Sequence, residues 1–408
     1  MPSLSEPTLR FIAAHRTDDV RRLALQAARY PEVDMPLAIT QIAGRQIATV
    51  KVPTWAQTEG VLYPAHLSLE QCSGEVTARY KADVIKSSAP LHRFADLTGG
   101  FGIDCSFLSA CFREAIYIER QEALCDIARH NFPLLGLSHI RVVHGDGTGL
   151  LHGLEPVDWL FLDPARRDGH GGKVVAIADC EPDVCALETE LLAKAAHVMV
   201  KLSPMLDVSL ALRDLKHVHA VHVVSVDNEC KELLLILNRE VELPEDEVPM
   251  TCVNLPGSPQ GLGGHTSFVF TRVEEQAASC PYTGVLGRFL YEPNASLLKA
   301  GAFRTIAARY GLRKLHRSSH LYTSNELLPD FPGRSFEVEG SCGFGKKDLK
   351  QLKSYLGDKM KANLTIRNFP ASVAELRKKL KLSEGGDRYL FATTLTDENR
   401  VLVWCKRL

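Results

Sequence analysis

Phe94-Ala-Asp-Leu-Thr-Gly-Gly-Phe-Gly-Ile-Asp104 is the stretch from which the rest of the chain is read. A short apolar run ends in Asp96, a turn carries Gly100 and Gly102, and a helix-forming stretch follows. That order predicts the first strand–turn–helix of a doubly wound sheet. Glycines let a backbone turn tightly and approach a ligand closely. The start of a helix offers N–H groups without partners. Nucleotides bind at such switch points. A glycine-rich turn also occurs as plain turn chemistry, so its flanks decide the reading.

Downstream, short apolar runs alternate with helical patterns. The run Ala115–Ile118 leads to Glu119, 17 residues beyond Gly102. An acidic side chain at that strand end can accept hydrogen bonds from both hydroxyls of a ribose. Ile140–Val143 leads to His144-Gly-Asp146, a loop carboxylate suited to an adenine amine. Trp159–Leu162 leads to Asp163-Pro164-Ala-Arg-Arg167, and Val198–Val200 leads to Lys201. Helical stretches such as Gln121–Leu135 and Asp183–Ala196 lie between runs. The alternation predicts a parallel sheet wrapped by helices. Val221–Val226 and Leu233–Leu237 follow each other across a short polar link, so the last strand is expected to be antiparallel. The expected fold class is α/β, with a Rossmann-like seven-stranded sheet.

In this order, Asp96-x-x-x-Gly100-x-Gly102, Glu119, Asp146 and Asp163-Pro164 resemble the motifs of the class I S-adenosylmethionine-dependent methyltransferases across residues 91–240. The resemblance implies S-adenosyl-L-methionine as cofactor. It would lie along Asp96, Thr98, Gly100, Gly102, Glu119 and Asp146, with Asp163 near the methyl group. A hydride-transferring dehydrogenase is the rival on the same fold. Three features favour methyl transfer: the missing third glycine of the dinucleotide fingerprint, the Asp163-Pro164 strand end and the antiparallel hairpin. Methyl transfer is an in-line displacement at a sulfonium carbon, so alignment of the acceptor carries much of the rate.

Two patterns bear on the acceptor. Asp163-Pro-Ala-Arg-Arg167 departs from the Asp/Asn-Pro-Pro-aromatic motif of amino-group methyltransferases, because Ala165 and Arg166 replace the second proline and the ring. Arginine can also stack on a base, so a base nitrogen stays open. Lys81, Asp163, Lys201 and Glu232 are similar in order to the lysine–aspartate–lysine–glutamate tetrad of the FtsJ-like ribose 2′-O-methyltransferases. A lysine flanked by carboxylates can steer or deprotonate a hydroxyl; lysines and glutamates at strand ends are also common solvated residues. These four are the candidate catalytic residues. Arg166 and Arg167 suit a phosphate-bearing substrate, or an ion pair with Asp168 or Glu181.

Residues 1–90 read as an N-terminal helical region, with helices over Thr17–Arg29, from Pro36 to Gly44, and over Ser68–Ile85. Thr54–Val61 reads as a loop, in which Trp55 is either core or a base-stacking residue. The catalytic domain is expected at 91–240, a linker or loose β segment at 241–279, a small α+β unit at 280–339 with one helix over Ala295–Tyr310, and a second α+β unit at 340–408.

The whole chain has a formal net charge of −1, yet Ser341–Leu382 holds 11 Lys/Arg against 3 Asp/Glu. Lys346, Lys347, Lys350, Arg367 and Lys378 are candidates for neutralising phosphates; a solvated helix face is the alternative use. Gly343-Phe-Gly-Lys-Lys347, Leu364-Thr-Ile-Arg-Asn-Phe-Pro370, Leu376-Arg-Lys-Lys379 and Gly385-Gly-Asp-Arg-Tyr-Leu-Phe391 resemble the THUMP-like domain at the C-terminus of a family of bacterial class I methyltransferases. Leu290-Tyr-Glu-Pro-Asn-Ala295, Leu321-Tyr-Thr323 and Asp330-Phe-Pro-Gly-Arg334 look like the ferredoxin-like unit of that family, and Glu70-Gln-Cys72 and Thr77-Ala-Arg-Tyr-Lys81 extend the match. THUMP modules bind structured RNA, so the resemblance implies an RNA partner, tRNA or rRNA. A protein or small-molecule methyltransferase, and a non-catalytic RNA-binding protein with a vestigial cofactor fold, are the other readings.

Composition sets the frame. At 408 residues and 45% hydrophobic, the chain has material for more than one core. Eleven cysteines without a C-x-x-C pair point away from zinc and from a disulfide framework, so no metal is expected. The opening Met1–Pro7 has no basic or apolar segment of a signal peptide. No apolar run approaches the roughly 18–20 residues that span a bilayer. The expectation is a cytoplasmic enzyme without a membrane partner.

Overall fold

A computed structural model describes residues 4–64, 66–86, 91–166, 176–258, 267–357 and 360–408. The chain divides into two compact units. The first comprises residues 1–221, 231–245 and 255–264, and the second comprises residues 222–230, 246–254 and 265–408.

The sheet of the first unit uses β1 (Arg93–Asp96), β2 (Glu114–Glu119), β3 (Ile140–His144), β4 (Val157–Leu162), β5 (Ala195–Leu202) and β7 (Glu229–Asn238), in the order β3-β2-β1-β4-β5-β7. β1 through β5 pair in parallel, with Asp96 beside Tyr117 on one side and Phe161 on the other. β6 (Val218–Val226) leads through Asp227 and Asn228, both at positive φ, into β7. β7 runs antiparallel to β5, with Lys201 opposite Leu234 and Leu202 opposite Leu233. This reversal has a consequence for chemistry. It places the beginning of β7, and with it Glu232, at the sheet edge where β1, β2, β4 and β5 end.

The central strands are apolar without alternation. Phe94, Ala95, Leu160, Leu162, Val198, Met199 and Val200 are fully buried. That is what burial of both faces by helices requires. Helices Ile103–Ser109, Glu122–Leu134 and Val184–Lys194 follow β1, β2 and β4. The last starts with Asp183 accepting the N–H groups of Cys185 and Ala186, the usual remedy for unpaired donors at a helix start.

The N-terminal region is helical, with different boundaries from those predicted. The helix from Met35 runs on to Lys51 despite Gly44, whose missing side chain lets Tyr63 pack against the helix: a Cβ there would lie 2.3 Å from the Tyr63 Cβ. Pro53–Gln57 forms a short helix where a loop was expected, and Trp55 is core, 1% exposed. The stretch Ser68–Ile85 is two helices, His66–Gln71 and Glu75–Lys86, broken at Ser73-Gly74.

The second unit holds a hairpin of β8 (Met250–Leu255) and β9 (Ser267–Phe270), and a seven-stranded sheet. The strands of that sheet are β10 (Phe289–Pro293), β11 (Arg313–Lys314), β12 (Tyr322–Ser324), β13 (Gly333–Cys342), β14 (Asn363–Arg367), β15 (Arg388–Thr394) and β16 (Arg400–Arg407). Their order is β11-β12-β10-β13-β16-β15-β14, antiparallel except for β14 with β15. β13 pairs with β10 on one edge and β16 on the other, making one continuous sheet. The single helix expected over Ala295–Tyr310 is two, because Gly301 takes a left-handed conformation at φ 83° and ends the first at Ala300.

Candidate active site

The ends of β1, β2, β4 and β5 surround a cleft of about 330 Å³, lined by Asp96, Thr98, Gly100, Gly102, Glu119, Asp146, Asp163 and Lys201 among others. All seven predicted cofactor residues therefore lie on one cavity. Its volume falls in the range of small-molecule sites.

Local chemistry explains the shape. Gly102 opens the helix after β1 at φ 88°, where any side chain is strained, and a Cβ there would lie 2.9 Å from the Phe132 ring. Gly147, which sequence reasoning passed over, is tighter still: its Cβ would sit 2.1 Å from the Leu97 carbonyl oxygen. Glu119 accepts the N–H of Gly100 through Oε2 and that of Gln121 through Oε1, both at 2.8 Å. Asp146 caps the helix Gly147–Leu151 by accepting from Thr148 N–H and is itself exposed. Asp96 accepts the Thr98 N–H at 2.9 Å, and burial raises its carboxyl well above the ordinary aspartate value. Thr98 turns its hydroxyl oxygen to the Asp163 N–H at 2.7 Å, so it fixes the β4 loop.

The lining is rich in acid: Asp96, Asp104, Glu119, Asp146, Asp163 and Glu181 against Arg120 and Lys201. Such a cavity suits a ligand bearing a sulfonium cation and opposes the diphosphate of a dinucleotide. S-adenosylmethionine fits the residues present on that ground.

Behind the cleft, the four predicted catalytic residues come together, with two more. Lys201 Nζ is 2.5 Å from Asp163 Oδ2 and 3.2 Å from Asp104 Oδ2. Lys81 Nζ is 3.1 Å from Asp104 Oδ1 and 2.6 Å from Glu232 Oε1. Ser73 Oγ, in the break between the two helices, donates to Asp104 Oδ2 at 2.7 Å and accepts from both lysines, at 3.2 Å and 3.1 Å. Burial disfavours the Lys201 ammonium, yet Asp163, Asp104 and Glu232 raise it well above the usual lysine value. Burial also acts against the Asp104 carboxylate, but Lys81 and Lys201 hold it down at about 2. Burial raises the Asp163 carboxyl, outweighing the pull of Lys201.

Only Asp163, Lys201 and Asp104 of this cluster line the cleft. Lys81 is 0% exposed and Glu232 lies behind it. Both were predicted as catalytic; Lys81 adjoins the cavity-lining Asp104, and Glu232 adjoins Lys81. Asp104 and Ser73 were missed as site residues. Asp104 stood in the quoted motif, but only the fold shows that the second residue of its helix points at two lysines.

The predicted substrate contacts separate. Arg166 pairs through its backbone with Cys180, and its side chain, Arg167 and the side chains of Lys346 and Lys347 lie outside the described residues. Lys350 and Lys378 are exposed. Arg367 is instead engaged internally, its Nη2 2.7 Å from Oε1 of Glu292, which is 1% exposed and also accepts from Arg334 Nε at 2.8 Å. Instead of standing free, Arg367 is a partly exposed partner of the buried Glu292 carboxylate. Among the described residues, no cluster of His, Cys, Asp or Glu could hold a metal ion, and no helix is long and apolar enough to cross a membrane.

Comparison with known proteins follows the same division. Residues 289–332 match a family described as a ferredoxin-like domain, and residues 333–407 match one described as THUMP domain-like. A crystal structure of a protein from Porphyromonas gingivalis W83, described as a candidate methyltransferase, superposes with a TM-score of 0.86 at 38% identity, over 98% of this chain and 97% of that one. Two uncharacterized S-adenosylmethionine-dependent methyltransferases of Mycobacterium tuberculosis, from strains CDC 1551 / Oshkosh and ATCC 25618 / H37Rv, are each 24% identical over 317 residues, covering 77% of this chain and 80% of theirs.

Proposed function

Because the chain belongs to the class I S-adenosylmethionine-dependent methyltransferases that end in ferredoxin-like and THUMP-like units, we propose that its methyl acceptor is RNA, a tRNA or an rRNA. The observation that carries this reading is the second unit. Helices Lys346–Leu356 and Val373–Leu380 turn Leu352, Leu356, Leu376 and Leu380 inward, while Lys350 and Lys378 stand exposed. Apolar residues anchor these helices and leave cations available to phosphates.

In this proposal, Glu119 accepts the ribose hydroxyls of the cofactor, and the Asp146 loop faces its adenine. When bound, S-adenosylmethionine supplies an electrophilic methyl group on sulfur. Asp163 and Lys201 face the incoming acceptor. Lys81 and Glu232 position that pair from behind. The acceptor on the RNA is a base nitrogen or a ribose hydroxyl. Mass spectrometry of nucleosides from a deletion strain and its parent tests the substrate. One modified nucleoside should vanish from tRNA or rRNA; an unchanged profile in every RNA class would sink the RNA reading. Salt-dependent RNA binding by the full chain separates it from a methyltransferase acting on protein or small molecules.

A further inference from the structure

Glu70-Gln-Cys72 precedes the helix break, and two of its residues, Gln71 and Cys72, line the cleft. The other lining residues divide by place. The loop after β1, Glu119–Gln121 and Asp146–Thr148 shape the part assigned to the cofactor, whereas Asp104, Asp163 and Lys201 belong to the lysine–carboxylate cluster. Gln71 lies on the side of the cluster. Ser73, two residues on, donates to Asp104 at 2.7 Å and accepts from Lys201 at 3.1 Å, and Lys201 Nζ is 2.5 Å from Asp163 Oδ2. The remaining lining groups are Cys72, Ala165, Glu181 and Pro182, of which Glu181 faces Arg120 at 3.4 Å. The Cys72 thiol donates to the Leu69 carbonyl at 3.1 Å, and burial pushes it up to about 11, so it stays neutral.

Gln71 ends the helix His66–Gln71, and it is exposed. Among the described residues its carboxamide has no hydrogen-bond partner. Its backbone, by contrast, is held on both sides. Just before it, Lys51 Nζ donates to the carbonyl oxygens of Leu69, at 3.0 Å, and of Glu70. An ammonium there satisfies carbonyls that a helix end leaves open. Just after it, Ser73 is fixed to Asp104. A fixed backbone under a free polar side chain limits the entropy lost when a partner binds.

Resting on the RNA reading above, we propose that Gln71 is a specificity residue that reads the base edge of the nucleotide being methylated, and that Lys51 is the positioning residue that holds it at the cleft. A carboxamide sets NH₂ donors beside a carbonyl acceptor in one plane. Such a group pairs twice with a base edge that sets an acceptor beside a donor, as glutamine does with adenine. Asp163 and Lys201 already face each other, so the neutral amide is the group on this side with a donor and an acceptor to spare. The contact serves methylation at a base or at a ribose alike, because it selects the nucleotide and not the atom.

The test incubates the full-length protein with S-adenosylmethionine tritiated in its methyl group and total RNA from a deletion strain, and resolves the labelled nucleosides. Gln71→Ala should lower kcat/KM by about fivefold to a hundredfold, the discrimination of a bidentate base contact. The loss should fall mainly on KM, and label should spread to further nucleosides. S-adenosylmethionine affinity, read by calorimetry, should stay that of the unmodified protein. Lys51→Met should raise KM in the same way, Lys51→Arg should restore it, and Lys51→Met should add little on top of Gln71→Ala. Gln71→Ala with unchanged kcat/KM and an unchanged labelled nucleoside overturns the proposal, as does an equal loss of cofactor affinity. Additive effects of the two substitutions overturn the role of Lys51. Label in the protein or small molecules of the strain's extract instead of its RNA removes the RNA reading. Gln71→Ala is then compared on that fraction, where an unchanged rate overturns a role for Gln71 at any acceptor. Label in no fraction overturns both.

Discussion

Thr98 and Asp163 are 65 residues apart in sequence, and the hydroxyl oxygen of the first accepts the backbone N–H of the second at 2.7 Å. The loop after β1, which shapes the cofactor cleft, thereby sets the position of the carboxylate at the end of β4. Thr98→Val keeps the shape and removes the acceptor. An unpaired buried N–H costs about 1–3 kcal/mol. The expected result is a kcat loss of tenfold or more with a smaller change in S-adenosylmethionine affinity, read by steady-state kinetics beside calorimetry. Equal losses in both would mean that Thr98 only shapes the cofactor cleft.

Glu119 is both ligand and latch, because its two oxygens hold Gly100 and Gln121. Glu119→Gln puts an NH₂ group against one of those donors and removes the charge. Hydrogen bonds to charged groups contribute about 1.5–3 kcal/mol. S-adenosylmethionine affinity should fall by roughly tenfold to a hundredfold on that basis. Calorimetry at constant salt measures it, and an unchanged Kd would remove Glu119 from the cofactor site.

Two buried aspartates give opposite pH signatures. Burial raises Asp96 in the folded state, so its contribution is most favourable below the unfolded value near 4 and is lost as pH climbs toward the folded one. Asp96→Asn keeps the oxygen that accepts the Thr98 N–H and should raise Tm at pH 7, with the gain shrinking as pH falls to about 4. The lysines depress Asp104 to about 2, so its contribution is present above about 4 and lost as pH falls through about 2. Asp104→Asn should flatten the acid limb of the stability curve. Thermal melts of both variants from pH 3 to pH 8 check the signs; parallel shifts at every pH would contradict them.

Glu292 is the counter-charge of two arginines. Glu292→Ala leaves Arg334 and Arg367 facing each other without it. Breaking a buried pair from one side costs about 3–5 kcal/mol, and less is expected here because the Arg334 and Arg367 side chains are 25% and 36% exposed. Melting of the second unit should fall by many degrees while S-adenosylmethionine binding stays intact. Arg367→Ala should cost less, because Arg334 remains on Glu292. The order of the two Tm values is the measurement, and Arg367→Ala melting lower would reverse the assignment.

Lys350 and Lys378 are predicted to touch phosphates. Replacing both by alanine should weaken RNA binding without regard to sequence and reduce the slope of log K against log salt by about 1 for each lost contact. Fluorescence anisotropy at several salt concentrations measures this. A slope equal to that of the unmodified protein would assign both lysines to a solvated face.

The cleft was readable in the sequence because Asp96 and Glu119 end strands and Asp146 and Asp163 follow just after them, at spacings a doubly wound sheet requires. The lysine–carboxylate cluster behind it was readable only in outline. Lys201 and Glu232 could be placed at strand ends, but nothing local shows that Lys81 is buried behind Asp104. Ser73 was hidden for a second reason. A helical pattern continues through it from Ser68 to Ile85, whereas the structure breaks the helix at Ser73-Gly74 and turns Ser73 to Asp104 and both lysines. Arg367 failed in the opposite way. It sits in a basic stretch, so charge counting sends it to solvent, while its partner Glu292 lies 75 positions earlier on another strand.

The contact between Lys81 and Glu232 spans 151 residues and closes only when β7 is in place. A nascent chain released as far as β6 already owns every loop of the cofactor cleft, but its deepest lysine still lacks a carboxylate from the final strand. The lysine cluster is thus completed after the cleft. A fragment ending at residue 226 should still take up S-adenosylmethionine, because every residue that lines the cleft lies before it.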